Sequence, residues 1–276
     1  MNLAMCARVH AIIAVPLLAA ASGGCTPAPL GVATVAPNTL PTGLVAHWTF
    51  DDAAGAIARD SSSNGRDGSI SGGPGWSWID GKFSGALQLA GFEEVTVGAG
   101  GFGFPQPTAS YSVSAWLRVM DGDSEPPVAA VLSTEIPWGV GPPGGWSLNL
   151  DLPPPGSSDA GKYNFTYWYG QGGPSEVVTA ECACVVFDAW VHLAAVVDAD
   201  NDTLTLYVDG VARQQIPVPR GIWPAPGALY MGRPPIGGPG PVLQLAGGLD
   251  DVAIYARALV PEEIKLLSSA PAPDPL

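Results

Sequence analysis

Chemistry in this 276-residue chain has to come mainly from carboxylates, since it carries 25 Asp and Glu but only three His and four Cys. The stretch LVAHWTFDDAAGAIARDSSSNGRDG, residues 44–68, runs from an apolar strand pattern into a loop of Asp, Ser, Asn and Gly. A carboxylate placed there can serve as acid, nucleophile, calcium ligand or turn former. Glycoside hydrolysis needs two carboxyls across one sugar linkage. Glu176 and Glu181 in EVVTAEC are five apart and fall on opposite faces of an extended strand. DGDSEP at 121–126 reads as a loop with no strand to aim its acids. A Ser-His-Asp device is equally unsupported, because His47 and His192 sit in strand-like patterns without a Gly-x-Ser-x-Gly turn. The expectation is therefore a non-catalytic chain.

Calcium takes about six to eight oxygens, mixing carboxylates with backbone carbonyls, and loops of Asp, Asn and Gly supply both. Asp51, Asn64 and Asp67 are the candidates from the opening loop, with Asp60 as a turn cap. Plain turn carboxylates are the competing reading. Asp198, Asp200, Asp202 and Asp209 have EF-hand spacing, but Thr203 stands where that loop needs Gly. The strand TLTLYV would also carry Asp209 roughly 20 Å away at ~3.3 Å per residue. DADND is a polar turn.

The elements that must position these groups have a period of two. Leu44, Ala46, Trp48 and Phe50 alternate with Val45, His47 and Thr49. Tyr111, Val113, Ala115, Leu117 and Val119 alternate with Ser112, Ser114, Trp116 and Arg118. Further strands are expected at ALQLAG, EVTV, PVAAVLS, WSLNLD, KYNFTYWYG, EVVTAECACVV, WVHLAAVVD, TLTLYV, ALYMGR and GLDDVAIY. Asp209-Gly210 suits a tight hairpin turn. VPEEIKLLSS is the one helical pattern, with Pro261 opening it and Glu262 and Glu263 at its positive end. Many short strands broken by Gly and Pro imply an all-β sandwich or barrel.

The N-terminus has its own logic. Residues 1–24 combine one cation, Arg8, with the apolar run AIIAVPLLAAAS, which is short for a bilayer span and reads as a signal peptide. SGGC at 22–25 resembles a bacterial lipobox, with lipidation of Cys25; Ser22 departs from the Leu usual at that place. Ordinary secretory cleavage near Ala19–Ala21 is the alternative, and would give a secreted chain. Thr26 after the Cys, by similarity to known sorting patterns, favours an outer-membrane lipoprotein. Residues 26–42, rich in Pro and Thr, read as a flexible tether carrying the domain at 43–268, and 269–276 as a disordered tail. Removing residues 1–24 takes one cation from the 11 Lys and Arg and none of the acids, so the surface repels nucleic acid and anionic headgroups. Cys182 and Cys184 in ECAC are either a disulfide or two small apolar side chains.

GLVAHWTFDDAAGAIARDSSSNGRDG followed by GKFSGALQLAG, YSVSAWLRV, WVHLAAVVD, TLTLYVDGV, ALYMGR and GLDDVAIYARAL resembles a laminin G-like, concanavalin A-like jelly-roll domain over about residues 43–267. The fold this implies is a two-sheet antiparallel β-sandwich with one short C-terminal helix. His47 and Ser63 depart from the family pattern, as do the Pro-rich loops at 137–145 and 153–156. In related jelly rolls a structural calcium ties the N-terminal loop to an Asp on the last strand, which makes Asp250 the leading ligand beside Asp51, Asn64 and Asp67. The Glu-x-Asp-x-x-Glu strand of laminarinase-type relatives has no counterpart here. Sugars stack on aromatic rings beside polar groups. Trp138, Trp168 and Trp223 are the ligand-binding candidates against the reading that such rings fill the core, as expected for Phe165 and Trp48. The implied function is a surface-anchored module binding a glycan or a protein ligand. A glycan-cleaving enzyme with a degenerate site and a purely structural envelope protein are the alternatives.

Overall fold

The alternating pattern folds as antiparallel strands. The computed structural model describes residues 41–98, 104–105, 109–120, 128–134, 144–153, 157–168, 177–219, 227–233 and 244–269. In chain order the strands are β1 (Leu44–Trp48), β2 (Ile57–Ala58), β3 (Gly68–Ser71), β4 (Ser77–Asp80), β5 (Gly85–Ala90), β6 (Glu94–Val97), β7 (Tyr111–Val119) and β8 (Val128–Ser133). They continue with β9 (Trp146–Asp151), β10 (Lys162–Trp168), β11 (Val177–Cys182), β12 (Trp190–Asp198), β13 (Thr203–Val208), β14 (Val211–Pro217), β15 (Leu229–Met231) and β16 (Ala246–Tyr255). One helix, α1 (Pro261–Leu267), follows.

Two sheets form. The first runs β14-β13-β12-β7-β16-β5-β4, with β1 also on β16; the second runs β11-β10-β9-β8-β15-β6-β3-β2. Their facing residues make one core in which Trp48, Phe165, Leu117, Leu206 and Leu249 are fully buried. Each such Leu or Phe stabilises the fold by roughly 1.5–3 kcal/mol. Trp48 and Phe165 are thus core residues, as their positions in the alternation require.

The outer face of the first sheet is buried as well where α1 packs on β12, β13 and β16. Ala194, Val196, Tyr207, Ala253 and Tyr255 pack against Leu259, Ile264 and Leu267 in a second apolar cluster. The Trp116 indole N–H donates to the Leu267 carbonyl (3.3 Å). The helix lies close because Arg257 forks onto Glu263, whose carboxylate also accepts the Val260 N–H (3.0 Å) at the helix start. Between β13 and β14, Asp209 (φ 51) and Gly210 (φ 73) make the expected hairpin turn, where both residues need left-handed backbone.

Strand β16 changes neighbour halfway. β7 lies along one edge throughout, while on the other edge β5 takes Ala246–Leu249 and β1 takes Val252–Tyr255. The register slips between Asp250 and Ala253, and Asp251 has a φ of 46. A bulge of this kind re-aims side chains. Here it directs two acids to the place where β1 and β5 both stop.

Candidate functional site

The acids predicted to share a calcium ion are divided between two hydrogen-bond systems. At the seam of β1, β5 and β16, Asp250 Oδ2 accepts the backbone N–H groups of Lys82 (2.7 Å) and Phe83 (3.0 Å). Asp51 Oδ1 accepts the N–H of Gly85 (2.6 Å), so both carboxylates grip the one β4–β5 turn. Gly81 permits this approach, since a methyl there would sit 2.6 Å from Asp250 Oδ2. Burial pushes the Asp250 pKa up to about 7, helped by the charges of Asp251 and Asp51 and opposed by the hydrogen bonds from Phe83 and Lys82. Asp251 Oδ1 lies 2.9 Å from His47 Nε2, which fixes β1 to β16 by side chains as well as backbone.

The second system centres on Asp60. Its carboxylate accepts N–H bonds from His47 (3.0 Å), Ser62 (2.9 Å) and Arg66 (2.9 Å). Burial raises its pKa, but the bonds from Ser62, His47 and Arg66 outweigh that and leave it below the ordinary value. Asp67 Oδ1 in turn accepts the Asp60 N–H (2.9 Å), and the Asn64 amide donates to the Val45 carbonyl (2.9 Å). Asp51 and Asp250 therefore stand together on one turn, whereas Asn64 and Asp67 shape the 60–67 loop against β1. Among the described residues no three His, Cys, Asp or Glu side chains gather as a metal cluster. Of the predicted ligands, Asp51 and Asp250 are the two whose carboxylates bind the same turn.

A buried Ser–His pair was not foreseen from the sequence. Ser114 Oγ lies 2.8 Å from His192 Nε2 on the outer face of the first sheet. Burial pushes the His192 pKa down to about 3, so the ring is neutral, and its Nδ1 has no hydrogen-bond partner among the described residues. A catalytic triad needs an acid at that nitrogen and an exposed hydroxyl. This pair has neither. The signal for it was present only as two polar residues inside apolar strands.

The outer face of the second sheet is the polar one. Tyr163, Phe165 and Tyr167 of β10 point into the core, which places Lys162, Asn164, Thr166 and Trp168 on the opposite face. Trp168 is half-buried there, opposite Val177 of β11. Asn149 of β9 donates its amide to Asn164 Oδ1 (3.0 Å) and Ser147 Oγ (2.8 Å). Thr166 and Thr179 bond through their hydroxyls (3.2 Å), and Lys162 Nζ is held by Glu181 (3.0 and 3.2 Å). The strand register carries the hydroxyls further: Thr179, Thr166, Ser147, Ser133, Tyr230, Thr96 and Ser69 lie opposite one another in turn. Ser133 and Ser147 in the middle of this row are buried, and Thr179 and Ser69 near its ends are exposed. No single segment of sequence shows such a row, because it is assembled across seven strands.

Other expected positions are placed as follows. Cys182 and Cys184 are joined by a disulfide, with Cα atoms 5.3 Å apart. Glu181 lies on the exposed face of β11; Glu176 and the 121–126 acids lie outside the described residues. Trp138, Trp223 and Cys25 also lie outside them. No described helix is long and apolar enough to cross a membrane.

Comparison with known proteins agrees with this geometry. A solved structure similar to the chain is domain 4 of AbnA, a GH43 extracellular arabinanase from Geobacillus stearothermophilus, in complex with arabinotriose. It is 22% identical, with a TM-score of 0.56, and the match covers 82% of this chain and 98% of that one. The binding domain of botulinum neurotoxin DC, solved with SialylT, is 13% identical with a TM-score of 0.58, covering 82% of this chain and 51% of that one. The same binding domain solved with rat synaptotagmin II gives the same figures, so this chain spans about half the length of those neighbours. These likenesses show the fold. No curated protein matches the chain. The model of the concanavalin A-like lectin/glucanases superfamily, a laminin G-like family, matches residues 90–265. The chain belongs to that superfamily, and its two sheets and single helix are the jelly roll that the opening and closing motifs implied.

Proposed function

We propose that this protein is a non-catalytic binding module that recognises a glycan on the outer face of β9–β11. The observation that carries this is a half-buried indole, Trp168, at the end of a ladder of neutral amides and hydroxyls, Asn149, Asn164, Thr166 and Thr179. An indole offers a flat apolar surface to the C–H face of a sugar, and amides and hydroxyls both donate to and accept from its hydroxyl groups. The arabinotriose bound to the AbnA domain supports a glycan as the ligand class, as does SialylT on the toxin domain. Non-catalysis is supported by the seam acids, each of which has one carboxylate oxygen bound to backbone N–H groups of the β4–β5 turn, and by the neutral, buried His192.

Titration against an oligosaccharide array is the test. Trp168→Ala is expected to lower affinity about tenfold, equal to about 1.4 kcal/mol, in a protein that still folds. Binding indifferent to that substitution would remove Trp168 from the site. Turnover of any polysaccharide would restore the enzyme alternative, and recovery of a protein partner with a blank array would move the reading to protein recognition.

Two further parts belong to the same proposal. Calcium is proposed to bind at Asp51 and Asp250, where a divalent charge would offset the repulsion that helps raise the Asp250 pKa. Lipid on Cys25 is proposed to hold the module at the cell envelope, in the outer membrane, with 26–42 as the tether.

A further inference from the structure

We infer that the β9–β11 face takes an uncharged oligosaccharide lying along β10 and discriminates against anionic glycans. This rests on the glycan reading and goes on to name the class of ligand. Trp168, Thr166, Asn164 and Lys162 follow one another at every second residue, a line of roughly 20 Å at ~3.3 Å per residue. Of these four, three are neutral. Lys162 is the sole cation among the described residues of β9, β10 and β11.

That cation is already taken. Its Nζ is held by both oxygens of Glu181, at 3.0 and 3.2 Å. On its other side the strand register sets Asp151 opposite it. A sugar carboxylate arriving at this end would meet two acids and one base, and the base's charge is already offset by Glu181. The rest of the line offers it hydroxyls and amides, which suit sugar hydroxyls equally well whether or not the sugar is charged. Selectivity is a difference between affinities, and like charge set against the wrong ligand is a common way to create it. The net charge of −14 over the whole chain acts in the same direction.

The experiment titrates the full chain and Glu181→Gln with matched pairs of oligosaccharides, each neutral compound beside its uronate or sialylated counterpart. The wild type is expected to bind the neutral member at least about tenfold more tightly. Glu181→Gln frees Lys162, so affinity for the anionic member is expected to rise about threefold or more while neutral binding stays level. A loss of fold would lower both affinities together, which separates it from this outcome. Equal or tighter binding of the anionic member by the wild type, or no gain in the variant, overturns the inference and leaves the glycan reading standing. Binding of neither member overturns both.

Discussion

Single carboxylates in this protein do structural work that depends on which backbone groups surround them. Asp60 and Asp250 both accept backbone N–H groups, yet their pKa values move in opposite directions. Asp250 is more deeply buried and feels Asp251 and Asp51, so repulsion and burial win. Its folded pKa of about 7 lies above the ordinary 3.8, so its contribution to stability is full below the unfolded value and is lost as pH rises through about 7. His192 acts oppositely. Its folded pKa of about 3 lies below 6.5, so its contribution is full above 6.5 and is lost as pH falls toward 3. The two slopes oppose each other between about pH 4 and 6.5. Asp250→Asn keeps an oxygen for the Lys82 and Phe83 N–H groups but no longer titrates. Its stability is therefore expected to rise more steeply with pH than that of the wild type across this window. Denaturant melts at several pH values measure it, and parallel profiles for the two proteins would contradict the assignment.

At the scale of elements, the informative unit is the seam where β1 and β5 share one edge of β16. Alternation alone placed Leu44–Trp48, Gly85–Ala90 and Ala246–Tyr255 in strands, and the family-like order of motifs placed the first and last together. It did not foresee that β16 would bulge at Asp251, nor that the turn before β5 would supply the N–H groups that Asp250 accepts. Turn amides are backbone groups, identical in every non-proline residue, so their partners cannot be read from residue type. The expectation that Asn64 and Asp67 would stand beside Asp250 treated a loop's acids as one group, whereas Asp60 organises its end of the loop separately. Calcium is tested at this seam. The wild type is expected to melt several degrees higher in calcium than in chelator, and Asp250→Asn is expected to lose most of that difference. Identical melting curves for the wild type in both conditions would leave the hydrogen bonds as the sole clasp.

For the molecule as a whole, the composition indicated an acidic surface, the strand pattern a sandwich or barrel, and the family resemblance the sandwich. The structure adds that the first sheet is buried on both faces where α1 packs over β12, β13 and β16, while β14 stays largely exposed. Trp116 and His192 show why this was hard to read. In the alternating pattern they occupy the positions opposite the core, which ordinarily face water, yet both are buried. On the second sheet the outer positions of β10 and β11 are half-buried or exposed and mostly polar, and the proposal takes that stretch, with Asn149 of β9, as its binding surface. Anchoring is tested on the intact cell product. Lipid label is expected on the wild type and absent from Cys25→Ala, which should partition into the aqueous phase of a detergent separation. Label retained by the variant, or none on the wild type, would favour ordinary secretory cleavage.

The sequence by itself determined the fold class, the C-terminal helix, the Asp209-Gly210 turn, the core role of Phe165 and Trp48, and the strands other than β2, β3, β4 and β14. Each of these is a local pattern of side-chain size, polarity or backbone freedom, and such patterns survive in one dimension. Tertiary structure decided what lay between strands: the Asp250 clasp, the burial of His192 beside Ser114, and the row from Thr179 to Ser69. Those features depend on register and on which sheet edges meet, and both are set by packing residues distant along the chain.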